Sequence, residues 1–117
     1  MAASRAHPPR RRAVRAQALV QQVTLSWLRE PTNAEHIARL TQASESLRRI
    51  PGVRALQWGP RADIGRPGAD ETFDFGLLIT FESAQAAHDF GAHPLHIQAA
   101  LAALPLVSRH LSFRFSV

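Results

Sequence analysis

The 117-residue sequence predicts an α+β fold: four strands in one antiparallel sheet, with two main helices and a short extra one before the last strand. Three observations carry this. Apolar residues alternate at period two in four separate runs, which is the signature of strands with one buried face. The first and third runs each lead into a capping residue and a helical segment. The second and third runs are joined by a loop, Arg61 to Thr72, whose two Gly, one Pro and five charged residues fit a connection between antiparallel neighbours.

The first strand spans Val20 to Leu28, with Val23, Leu25 and Trp27 on one face and Gln22, Thr24 and Ser26 on the other. Thr32 and Glu35 match a Thr-x-x-Glu capping box, so a helix begins at about Asn33. Its stripe is Ile37, Leu40, Leu47 and Ile50, with Ala43 and Ser44 at close-contact positions. Pro51 pushes Ile50 out of the helical region and Gly52 permits a tight turn. The second strand runs from Val53 to about Pro60. In the third, Phe73, Phe75, Leu77, Ile79 and Phe81 share one face. Ser83 caps a short Ala-rich helix that ends at about Gly91, a residue free to enter the left-handed region. His93 and Pro94 form a turn, residues 96–104 a last helical piece, and Leu106 to Val117 the final strand, where Leu111, Phe113, Phe115 and Val117 alternate with His110, Ser112, Arg114 and Ser116.

This βαββαβ order is the split βαβ arrangement called ferredoxin-like, with both helices on one sheet face. The opposite face, expected to hold Leu28 and Leu78 among Gln22, Thr24, Thr80 and Ser112, then needs a polar surface, a ligand or a second subunit to cover it. A symmetric homodimer that stacks two sheets about 10 Å apart satisfies that need.

Composition excludes several classes of function. The length suits one domain, expected over residues 18–117. The absence of Cys excludes disulfides, thiolate metal sites and a Cys nucleophile. No apolar run approaches the roughly 18 residues of a membrane helix, no secretion h-region follows the Arg run, and cytoplasmic residence is the default. The net charge of +5 resides in Arg5, Arg10, Arg11, Arg12 and Arg15; beyond residue 17, nine Arg balance nine acidic residues. Residues 1–17 are therefore expected to be a disordered Arg-rich extension that could meet phosphates, whereas a neutral folded domain argues against nucleic acid as its partner. No GxGxxG or Walker pattern is present, so no nucleotide cofactor is expected.

The turn Ile50-Pro51-Gly52-Val53, the pair Trp58-Gly59, the segments Phe73-Asp74-Phe75-Gly76 and Phe81-Glu82-Ser83, and above all His93-Pro94-Leu95-His96 resemble the stress-responsive A/B barrel (Dabb) family in order and spacing over residues 20–117. The resemblance implies a ferredoxin-like domain that dimerises through its sheet into an α+β barrel. A few members of that family resemble a plant polyketide cyclase that uses a first-strand His, a Tyr and the second His of the turn. By position these fall on about Gln22, on Phe90 and on His96, and an Asp common near the end of the last strand is replaced by Arg114. Two of the three acid-base groups are thus absent, which argues against an aldol cyclase of that kind.

The candidate residues have more than one reading. His96 is the candidate catalytic residue, a lone general base whose side-chain type titrates near neutral pH, or else a structural His bonded to backbone. Gln22, Thr24, Phe90 and His93 are the candidate ligand-binding residues; Gln22, Thr24 and Ser26 equally suit a wet dimer interface, and His93 equally suits a cap before Pro94. His93 and His96 alone fall short of the three or four ligands of a zinc site, so no metal is assigned. Trp27 and Trp58 are expected in the core. The function expected is binding of a small apolar or amphipathic molecule, or service as a dimeric module; the alternative is a proton-transfer enzyme, cyclase-like or isomerase-like, with His96 as base.

Overall fold

The computed structural model describes residues 18–117, so the expected Arg-rich extension of residues 1–17 lies outside the described residues. The elements are β1 (Val20–Leu28), α1 (Ala34–Ser46) with a 3-10 turn at Leu47–Arg49, β2 (Val53–Pro60), β3 (Phe75–Phe81), α2 (Ala84–Phe90), α3 (Pro94–Ala103) with a 3-10 turn at Leu104–Leu106, and β4 (Val107–Ser116). All pairings are antiparallel, in the order β2-β3-β1-β4. This is the ferredoxin-like arrangement expected from the element order. No helix among the described residues is long and apolar enough to cross a membrane.

Several local expectations change. Asn33, not Thr32, caps α1: its Oδ1 accepts from the backbone N–H of Glu35 at 3.0 Å and of His36 at 3.1 Å, which satisfies two free donors of the first turn. Ile37 is 38% exposed, so the buried stripe of the helix starts at Leu40. Gly91 follows α2 at φ −60° and uses no left-handed conformation. Helix α3 starts two residues earlier than expected, at Pro94, whose missing N–H costs nothing in a first turn. Phe73 lies before β3, because Asp74 breaks the ladder. The Asp74 backbone N–H donates to the Ser26 carbonyl at 2.8 Å, while Asp74 Oδ2 accepts from Leu28 N–H, also at 2.8 Å. Phe73 then packs edge-on against Trp27, away from the helices.

The largest correction concerns which face of the sheet the helices cover. Directly paired residues share a face. Gln22 pairs with Ile79 and Arg114, Thr24 with Leu77 and Ser112, and Ser26 with Phe75 and His110, and this face lies under the helices. Gln22, Thr24, Ser112 and Leu28 therefore sit on the covered side rather than the open one. The outer face holds Val23, Leu25 and Trp27 beside Leu78, Leu111, Phe113 and Phe115. Phe113 is 55% and Phe115 53% exposed. Neither Trp is in the core. Trp27 lies on the outer face beneath the Arg109 guanidinium, 4.5 Å from its ring centre, and Trp58 is 39% exposed on edge strand β2, stacked on Phe75.

The covered face does not hold one continuous core. Val20, Leu47, Ile50, Leu56, Ile79, Phe81 and Phe90 belong to one cluster, and Leu28, Leu40, Phe75, Leu106 and Val107 form another. The centre of β1 between them carries Gln22, Thr24 and Ser26. These side chains cannot be buried in apolar contact without losing hydrogen bonds, so the core parts along them.

Candidate functional site

A cavity of about 180 Å³ occupies this parting, between the sheet and helices α1 and α3. Its apolar walls include Leu40, Leu47, Phe75, Leu77, Ile79 and Phe90. Gln22, Thr24 and Ser26 from β1, with Ser112 and His110 from β4, supply a polar strip along one side. His110 and Ser112 are exposed, so the strip reaches solvent at the β4 edge. The volume is below the roughly 300 Å³ lower range of drug-sized sites and close to the approximately 150 Å³ that admits benzene into an apolar core. It suits a single ring.

Four of the five candidate residues line this cavity: Gln22, Thr24, Phe90 and His96. His93 is the N-cap of α3, and its Nδ1 accepts from Leu95 N–H at 3.1 Å. With Pro94 at the first helical position, this cap fixes where α3 begins and hence where His96 stands. The Nδ1 of His96 lies 3.0 Å from the Gly91 carbonyl. A carbonyl only accepts, so this contact requires the proton on Nδ1 and leaves Nε2 as an acceptor. The ring packs against Phe90 with centres 4.7 Å apart, and Phe90 in turn meets Phe81 edge-on at 5.0 Å.

Gln22 is only 8% exposed and takes part in a directional network. Arg114 Nε donates to Gln22 Oε1 at 2.6 Å, Gln22 Nε2 donates to Thr24 Oγ1 at 3.3 Å, and Thr24 Oγ1 lies 2.8 Å from Ser112 Oγ. Arg114 Nη2 also donates to the Ala87 carbonyl at 3.3 Å. The wet-interface reading of Gln22 and Thr24 does not hold, since both lie beneath helices. Ser26, grouped with Gln22 and Thr24 in the sequence, lines the cavity with them, whereas the parts that His110, Ser112 and Arg114 play were missed, although the alternation of β4 already set those three on one face. Among the described residues, no group of three or more His, Asp or Glu side chains comes together as metal ligands would.

The family described as the Stress responsive A/B Barrel Domain, Dabb, matches residues 20–117, nearly all of the described chain. The chain is a Dabb domain. Solved structures of the same fold include a dimeric ferredoxin-like protein of unknown function from Thermobifida fusca, 16% identical with a TM-score of 0.70 over 86% of this chain and 92% of that one. A Dabb family protein with a ferredoxin-like fold from Mesorhizobium loti is 21% identical, with a TM-score of 0.69 over 85% and 96%. A hydroxynitrile lyase from Passiflora edulis is 17% identical, with a TM-score of 0.71 over 86% and 94%. No curated protein matches at a significant level. At these identities the likeness is one of fold, and the chemistry of this Dabb domain has to be argued from its own cavity.

Proposed function

We propose that this Dabb domain is a cytoplasmic homodimer, joined through the outer sheet face, that binds a small amphipathic molecule of single-ring size in the cavity of each protomer. The observation that carries the binding reading is the polar break in the middle of β1, which divides the core and leaves about 180 Å³ lined by apolar walls and one hydrogen-bonding strip. A pocket that is mostly apolar with a few convergent polar groups is the usual form of a small-molecule site. The dimer is supported by the exposed Phe113 and Phe115 and by the dimeric state stated for the Thermobifida protein.

Phenol combines an apolar ring with one hydroxyl and serves as a probe. Its addition is expected to shift the NMR signals of Thr24, Leu77 and His96 in the full chain. Ala100→Leu, which grows a side chain into the cavity from α3, is expected to abolish those shifts while the circular dichroism spectrum stays native. Shifts that persist in the variant would place the probe elsewhere.

A second reading is proton transfer with His96 as general base, favoured by the Nδ1 contact to Gly91 that leaves Nε2 free to accept. Nε2 would take a proton from the carbon beside a carbonyl, the carbonyl would become an enolate, and the imidazolium would return the proton to a neighbouring atom. That one protein of this fold is named a hydroxynitrile lyase supports the fold's capacity for catalysis. Deuterium exchange at the methyl group of acetophenone reads this step. His96→Ala should abolish catalysed exchange while the thermal midpoint stays nearly unchanged; equal rates in both proteins would rule out the base.

A further inference from the structure

We propose that Arg114 is a positioning residue that locks the Gln22 amide with its N–H side toward the cavity, so that the site selects single-ring compounds bearing a carbonyl oxygen. The proposal rests on the cavity-binding reading above and narrows it to a ligand class.

An amide side chain can present either its oxygen or its NH2 group to a given partner, and the neighbours decide which. Here Arg114 decides. Its Nε has only a proton to offer, and at 2.6 Å from Gln22 Oε1 it makes a short, charge-assisted hydrogen bond that fixes the oxygen on the β4 side. Gln22 Nε2 must then face the other way, toward Thr24 and the cavity. One of its two protons reaches Thr24 Oγ1 at 3.3 Å. The second is left for a ligand, on a residue that is 8% exposed and so has little water to turn to. A donor buried in this way is costly to leave unpaired, and an acceptor oxygen on a ligand removes the cost.

The donor and His96 belong to residues that line the same cavity. Arg114 Cζ stands 5.8 Å from the Phe81 ring, Phe81 meets Phe90, and Phe90 meets His96. A ring whose carbonyl faces Gln22 would thus be held in the cavity that His96 also lines. Arg114 itself is an exposed residue anchored to the Ala87 carbonyl, and it does not line the cavity. Its effect on a ligand runs through Gln22.

The experiment compares NMR-detected affinities of acetophenone, toluene and benzoate for the full chain and its variants. In the wild type, acetophenone is expected to bind more tightly than toluene and to shift the side-chain NH2 signals of Gln22. Arg114→Met should weaken acetophenone about tenfold, the loss of one hydrogen bond to a buried group, and leave toluene within about twofold. Arg114→Lys, which still offers an ammonium proton to Oε1, should recover part of that loss. Gln22→Met should give the same loss as Arg114→Met, and in that background Arg114→Met should add nothing, because the two act as one unit. An equal loss for acetophenone and toluene in Arg114→Met would overturn the proposal by making Arg114 merely structural, and so would no change in either. Benzoate binding more tightly than acetophenone and lost in Arg114→Met would overturn it in favour of direct charge pairing. If none of the three probes binds the wild type, the cavity-binding reading falls and the selectivity with it; if toluene binds and acetophenone has no advantage, only the selectivity falls.

Discussion

Glu45 joins α1 to edge strand β2. Its carboxylate accepts from Arg48 Nε at 2.6 Å and from the Trp58 indole N–H at 2.8 Å, and Arg48 also donates to the Leu56 carbonyl at 3.0 Å. The Arg48 hydrogen bond first, and the Trp58 hydrogen bond second, lower its pKa from 4.5 to about 2. The folded value lies below the unfolded one, so the contribution of this carboxylate is complete above about pH 4.5 and is lost as pH falls toward 2. Glu45→Gln is therefore expected to flatten the pH dependence of the urea midpoint between those values and leave its slope above pH 5 unchanged. An unaltered slope below pH 4.5 would show that the cluster contributes nothing. At this scale the sequence is legible where a residue acts through its own backbone neighbourhood. Ser83 and His93 can be read as caps from their place before a helical run. The network of Arg114, Gln22, Thr24 and Ser112 cannot, since residues 92 apart in sequence meet only through strand register.

The turn between α1 and β2 shows what an element requires of one residue. Gly52 adopts φ +90°, and a Cβ there would stand 2.6 Å from Ala86 Cβ on α2. The strained backbone and the overlap add. Gly52→Ala is expected to cost about 2 kcal/mol or more, read as a lower urea midpoint; a midpoint unchanged from wild type would mean that the turn and α2 move apart freely. The strands are where sequence reading met its limit. Alternation divides β1 into two sides, and the natural choice buries Val23, Leu25 and Trp27 while exposing Gln22, Thr24 and Ser26. The helices cover the second set. Polarity identifies the core side of a strand only when the other side faces water, and here both sides carry apolar residues: Val20 and Leu28 at the ends of one, and three in the middle of the other. The location of every element followed from caps, turns and periodicity, whereas the side presented to the helices depended on the whole assembly.

At the scale of the molecule, the outer face sets the expected oligomer. Val23, Leu25, Leu78, Leu111, Phe113 and Phe115 form an apolar surface across β1, β3 and β4 that a single chain leaves open. Contiguous apolar area of this kind is uncommon on a monomer. Phe113→Arg places a charge in its middle and is expected to convert the sedimenting species from dimer to monomer at micromolar concentration, with the helical circular dichroism signal retained. A wild-type chain that sediments as a monomer would remove the basis for the pairing.

The divided core also couples occupancy to resistance against heat. A guest that fits the hollow bridges two apolar groups that otherwise meet only through their surroundings, and it does so in the native state alone. Any true guest should therefore raise the melting temperature with its concentration, by a free energy that grows as the logarithm of its saturation and reaches about 2.7 kcal/mol at a hundredfold excess over Kd. A simple thermal screen of small ring compounds would thus identify occupants whether or not a reaction follows, and the tightest of them would outline the shape that natural selection left unfilled.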